Sequence, residues 1–224
     1  LYVVKTNGSG VVYQSATINR DELNPGLSAD GNKVVFEEVL YGENRNAGQI
    51  GKGLGLVDLN NNSYKQIASS STIKFTYPMF NSSITHIYYI SFGSSDSPVL
   101  NTYNIQADSV EKTIDLGIDI IRVRPFLTSD EKLIYSDGLN NLYELNILTE
   151  TKRTLFSGFV GDWYYSFSSD GLRVASFNQD TLRTNDFKGT RKAIFVNKSG
   201  SLFNPRISAT EDIMYYGRMF QREM

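Results

Sequence analysis

Cysteine is absent from the 224 residues, and histidine occurs once. The first absence excludes disulfides, thiolate nucleophiles and Cys-ligated zinc. The second leaves no His-cluster metal site and makes a Ser-His-Asp arrangement a poor expectation. Long apolar runs are missing as well: no stretch approaches the ~18 consecutive apolar residues of a membrane helix. Neither charge sign is in excess, with 22 Lys+Arg against 24 Asp+Glu and a formal charge of -2. Sequence-independent nucleic-acid binders carry a basic excess, so no nucleic-acid partner is expected. The chain starts at Leu1 rather than Met and is read as processed, trimmed or tag-derived, with no signal peptide remaining. What is present in quantity is Tyr (14), Phe (13) and Gly (18). That mixture favours strands joined by tight turns. The apolar share of 40% and charged share of 21% are those of a globular chain. The length suits one large domain, taken to run over 1–224.

Apolar residues alternate with period two in short runs bounded by Gly, Asn, Asp and Ser. Lys33–Val39, Thr85–Ser91, Lys132–Ser136 and Arg173–Asn178 are examples. No helical stripe interrupts them, so the chain reads as all-β and antiparallel. Four of the five prolines share one context. Pro25 leads through Ser28-Ala29-Asp30-Gly31 into an apolar strand, and Pro125 leads through Thr128-Ser129-Asp130 into another. Tyr165 stands in the same place ahead of Ser168-Ser169-Asp170-Gly171, and Pro78 and Pro205 head weaker copies. These five sites are 53, 47, 40 and 40 residues apart. Each unit reads as strand, Ser-x-Asp-Gly turn, strand and two further strands, the period of a propeller blade.

The motif Pro-x-x-Ser-x-Asp-Gly before an apolar strand resembles the WD40-like (PD40) repeat of TolB-type β-propellers. The likeness spans essentially the whole chain, though the second and fifth copies lack the Asp-Gly. The Gly-His and Trp-Asp marks of true WD40 blades are missing. The resemblance and strand order together predict a β-propeller of five blades, each of four antiparallel strands. The last blade is expected to be stitched from both termini, with strands near Leu1–Thr6 and Val11–Ala16 completing the one begun by the fifth motif. A truncated six-bladed ring is the alternative. The resemblance implies a periplasmic or secreted setting in the bacterial cell envelope and a role as a protein-interaction platform.

In such a ring the first strand of each blade lines the central channel. Positions two before and two after the Pro site are mostly apolar and are expected to pack between blades. Positions one and three before it are more polar and vary among copies, which a structural repeat does not require. The candidate ligand-binding residues are therefore Glu22, Asn24, Tyr77, Arg122, Arg124, Asp162, Tyr164, Asn204 and Arg206. The Arg residues suit carboxylate or phosphate, and the Tyr residues offer stacking area with a hydroxyl. The bland alternative is that these polar groups only pair with one another, Arg122 and Arg124 with Asp162 and Glu22. Long loops at Tyr41–Gly53 and Phe92–Pro98 are expected to overhang the channel mouth. The Gly-rich stretch Gly48–Gly55 lacks a Gly-Lys-Ser/Thr phosphate loop and reads as a hairpin tip. The Asx-rich stretch Asp58–Asn62 lacks the distal Glu of a calcium loop and reads as a turn.

These features favour a non-enzymatic binding module that offers a channel-mouth surface to a protein partner or a small polar or anionic ligand. No cofactor, metal or catalytic residue is expected. Two alternatives are a lectin-like carbohydrate binder and a five-bladed glycosidase that would use Glu22 and Asp162 as its carboxylate pair.

Overall fold

A computed structural model of the chain describes residues 1–4, 10–15, 17–43, 45–93, 97–119, 121, 124–139, 141–157, 164–168, 173–178, 181–186, 192–196, 201–207 and 214–219. Apart from one 3-10 turn at Arg45–Ala47, every regular element among them is a strand. The chain divides into two compact units, Leu1–Ile120 and Ile121–Met224.

The first unit opens with a hairpin, β1 (Tyr2–Val4) and β2 (Val11–Gln14). A four-stranded sheet follows, from β3 (Arg20–Leu27), β4 (Lys33–Tyr41), β5 (Gln49–Asp58) and β6 (Ser63–Ser70). A second comprises β7 (Lys74–Phe80), β8 (His86–Phe92), β9 (Pro98–Asn104) and β10 (Ser109–Asp115). Both run in sequence order and pair antiparallel throughout. Alternation along β4 decides the packing. Val34 and Phe36 face one side, where Leu1, Val3 and Tyr13 cover them. Val35 faces the other and joins Phe75, Ile87, Tyr89 and Tyr103 from the second sheet. The first sheet is thus buried on both faces, which is why β4 and β5 are nearly continuous apolar runs.

In the second unit, β11 (Phe126–Leu127), β12 (Lys132–Ser136), β13 (Leu142–Asn146) and β14 (Thr151–Phe156) form a third sheet. A fourth comprises β15 (Tyr164–Phe167), β16 (Arg173–Asn178), β17 (Thr181–Asp186) and β18 (Lys192–Val196). Phe126 and Phe167 stack between the first strands of these two sheets, ring centroids 5.3 Å apart. The last strands, β19 (Ser201–Ile207) and β20 (Met214–Met219), form a two-stranded sheet. The first hairpin is likewise a separate two-stranded sheet. The four-stranded terminal blade expected from the sequence is therefore not formed among the described residues.

Two turns recur in the sheets. Between the first and second strands the keystone is the residue three after the Pro site. The Ser28 hydroxyl accepts from Lys33 N at 2.8 Å and donates to Asp30 at 2.6 Å. Thr128 repeats this with Lys132 N and Asp130, and Ser168 accepts from Arg173 N. In the copy without Asp-Gly, Asn81 takes over and accepts from the amides of Thr85 and His86. All four keystones are buried. The glycine place keeps its left-handed backbone even where glycine is lost: φ is 73° at Gly31 and 59° at both Ile84 and Glu131. Between the third and fourth strands an Asx residue caps the turn. Asp58 accepts from Asn60 N, Asn104 from Gln106 N and Asn146 from Leu148 N. Four residues after each cap, Asn62, Asp108 and Glu150 lie in the left-handed region.

Three expectations change. The Gly-rich stretch is not a hairpin tip, because Gln49–Asp58 is a ten-residue strand. The first long loop shortens accordingly to residues 42–48, while 94–96 of the second lie outside the described residues. Even positions of the first strand do not all pack: Thr76 is buried, but Leu23 and Leu27 are 45% and 59% exposed. The pairing register shifts between Leu23 and Gly26, so the strict two-residue alternation assumed from the sequence does not carry through the motif.

Candidate functional site

The first strands of both sheets in the first unit are bulged at the same repeat position. Register shifts lie between Leu23 and Gly26 on β3 and between Thr76 and Met79 on β7. At each bulge the residue before the proline is left-handed, with φ 47° at Asn24 and 55° at Tyr77. A residue before proline is ordinarily extended. Asn tolerates this region, whereas for Tyr it costs about 1–2 kcal/mol and must be held from outside.

Glu37 does the holding. It sits on β4 with Val35, on the side that faces β7. Its Oε1 accepts from Tyr77 N (2.8 Å), Thr76 Oγ1 (2.5 Å) and Asn24 Nδ2 (3.0 Å). One carboxylate oxygen thus pins the bulges of two adjacent sheets. Gly26 completes the close approach, since a Cβ there would lie 2.9 Å from the Pro78 carbonyl oxygen.

Glu38, next along β4, points to the opposite face and is 1% exposed. It accepts from Arg20 Nη1 (3.2 Å), Tyr64 OH (2.9 Å) and Gln66 Nε2 (3.1 Å). Arg20 also pairs with Glu22 at 3.1 Å, and its guanidinium lies 3.8 Å from the Tyr64 ring centroid. Burial, joined by the charge of Glu38, pushes the Tyr64 hydroxyl well above its usual range. Gly53 and Gly55 on β5 leave the necessary room. A Cβ on Gly55 would sit 2.5 Å from Phe36 Cε2 and 2.8 Å from Glu38 Oε1. That closeness, rather than flexibility, explains the glycine run.

Glu22 belongs to this second hub. Its carboxylate accepts from the Leu1 nitrogen (3.1 Å), Ser15, Thr17 Oγ1 (2.9 Å) and Arg20 Nε. Burial by itself would raise the Glu22 carboxyl, but these four donors outweigh it and hold the group below the usual carboxylate range. A general acid needs the reverse, a raised value that keeps its proton near neutrality.

The structure therefore brings Asn24 and Tyr77 together through Glu37 and places Glu22 in the separate Arg20–Glu38 hub. Arg124 is exposed at the start of the second unit. Tyr164 lies on β15 opposite Phe177, and Arg206 on β19 opposite Tyr215. Asn204 falls within a third register shift, between Phe203 and Arg206, at the same repeat position as Asn24 and Tyr77. Arg122 and Asp162 lie outside the described residues. Reading the sequence missed Arg20, Glu37, Glu38 and Thr76. The available signal was two adjacent acids inside Val34-Val35-Phe36-Glu37-Glu38-Val39-Leu40, a strand with no polar face to receive them. Among the described residues no group of three or more His, Asp or Glu side chains could hold a metal ion.

Four-stranded antiparallel sheets in sequence order, the first two packed together and bulged alike on their first strands, define a β-propeller. No protein-family model and no curated protein sequence matches the chain. Solved structures do, and they give it a β-propeller fold. TolB from Acinetobacter baumannii is similar over 89% of this chain and 49% of its own, with a TM-score of 0.62 and 17% identity. The β-propeller domain of the Trilobed protease from Pyrococcus furiosus, described as having an open velcro topology, is similar over 89% and 64%, with a TM-score of 0.64 and 13% identity. An oligogalacturonate lyase in complex with manganese is similar over 82% and 55%, with a TM-score of 0.63 and 13% identity. The chain thus spans about half to two thirds of the length of these proteins.

Proposed function

We propose that the chain is a non-enzymatic binding module of the TolB-like kind, acting in the periplasm or outside the cell. The bulged strands β3 and β7 of the first unit carry Asn24 and Tyr77, the second unit contributes Arg124, Tyr164, Asn204 and Arg206, with Arg122 and Asp162 as further contacts, and the ligand is a protein partner or a small polar molecule. The recurring bulge supports this reading. It turns the residue before the Pro site out of regular pairing on β3 and β7, and that residue is Asn, Tyr or Arg among the copies. Structural duties fall on other, repeated positions, namely the Ser28, Asn81, Thr128 and Ser168 keystones. A preformed sheet surface also binds with little loss of conformational entropy. The glycosidase reading gains no support from Glu22, which is consumed by four internal donors.

The test is a thermal-shift screen with sugars, anions and amines, run on the wild type and on a Tyr77→Ser/Arg124→Ala variant. A ligand that binds only the folded chain raises the melting temperature by mass action. The expected result is a stabilising compound whose effect disappears in the variant, while the variant alone melts near the wild type. Compounds that stabilise both proteins equally contradict the assignment.

A further inference from the structure

Three buried carboxylates invite comparison. Glu38 has the cation Arg20 beside it and donors on both oxygens. Asp137 has no cation among the described residues, but each oxygen takes two donors, from Leu139 N and Asn141 N, and from Asn141 Nδ2 and Tyr143 OH. Glu37 has neither arrangement. All three of its donors converge on Oε1, and among the described residues Oε2 takes no hydrogen bond and no cation pairs with the carboxylate. The residue is only 8% exposed. Yet the side-chain polar atoms both sealed from solvent and unbonded among the described residues are Thr102 Oγ1 and Ser136 Oγ alone, so Glu37 Oε2 keeps an opening. Leaving a largely buried carboxylate half-satisfied is costly, and a charge-assisted partner would recover that cost. Beside it stand the exposed Asn24 and the half-buried Tyr77.

We infer that Glu37 is the anionic centre of a cation-recognition subsite, which takes a guanidinium or primary ammonium group at Oε2 with the Tyr77 ring and the Asn24 amide beside it. This rests on the reading of the bulged strands as a binding face and adds to it the charge of what binds. A carboxylate suits such cations through a charge-assisted hydrogen bond, and a tyrosine ring turned to the same side would add its negative face. Oε1 stays occupied by the three internal donors, so occupation of the subsite leaves the bulges undisturbed.

The experiment measures binding of a tetra-arginine peptide, a tetralysine peptide and spermidine to the wild type, Glu37→Gln and Tyr77→Ser. Glutamine keeps the shape and the three bonds at Oε1 but replaces the open acceptor with a donor. About 10- to 100-fold weaker peptide binding by Glu37→Gln is expected, the size of one hydrogen bond to a charged group. Peptide binding dependent on Glu37 with spermidine inert supports a basic side chain of a partner protein as the source; equal dependence for spermidine supports a small amine. Peptide binding lost in Tyr77→Ser but intact in Glu37→Gln overturns the subsite and leaves the binding face standing. Binding unchanged in both variants overturns the subsite; the face itself falls if the screen of sugars, anions and amines is flat or its hits stabilise the Tyr77→Ser/Arg124→Ala variant equally. Should Glu37→Gln fail to fold, zero-length carbodiimide coupling of tetralysine to the wild type gives an independent answer. Coupling at Glu37 is expected, and coupling confined to exposed acids such as Glu111 contradicts the subsite.

Discussion

A single backbone angle illustrates what each repeat demands. Gly31 has φ 73° and an added Cβ would meet nothing within 4 Å. Gly31→Ala should therefore cost about 1 kcal/mol through backbone strain alone, and Gly31→Asn clearly less, as read from urea unfolding. Glu22 contributes to the acid limit of the first unit. Its folded value lies below the ordinary 4.5. The stabilisation is therefore fully present above the unfolded value and is lost as pH falls through the lower folded one. The stability gap between the wild type and Glu22→Gln should be widest near neutrality and close as the pH drops below about 4. A gap that widened on acidification would contradict the assigned hydrogen bonds. Arg20 carries the largest expected loss. Arg20→Met strands Glu22 and Glu38 without their shared guanidinium and should cost about 3–5 kcal/mol.

Strands and turns were the part most legible in the sequence. Period-two alternation located most strands, and the Pro-x-x-Ser-x-Asp-Gly context located the first turn of each sheet. Degraded copies remained legible because side-chain oxygens substitute for one another: Asn81 does for β7 and β8 what Ser28 does for β3 and β4. Less was legible where tertiary closeness overrides local preference. The glycines of β5 look like a loop in one dimension, but they are a strand thinned to admit Phe36 and Glu38. Gly55→Ala should accordingly destabilise by about 1–3 kcal/mol, as overpacking does, with no gain from reduced flexibility. Bulges escaped the sequence reading too, because a register shift is a property of two strands and leaves no mark in one. The outer strands β6, β10 and β14 carry Lys65, Lys112 and Lys152, the charged edges that discourage pairing with other chains.

For the whole molecule, the fold class follows from the repeat, whereas the grouping of the candidate residues follows only in part. Asn24 and Tyr77 stand out by the variation of their position between copies, and the structure joins them through Glu37. Their common anchor, Glu37, was passed over because a buried acid is recognised only once both faces of its strand are known to be covered. Glu22 stands out by the same variation, and it lies in an internal hub. Repeat position reports exposure only when alternation is unbroken, and the bulges break it.

Hydrogen–deuterium exchange of the chain with and without bound tetra-arginine tests the central claim most directly. Preformed sheets should show slowed exchange confined to residues 23–27 and 75–80, with the rest of the first unit unchanged. No protection under saturating peptide would overturn the Glu37 subsite alone, whereas protection on the outer strands β6 and β10 instead would contradict a binding face built on the bulged first strands.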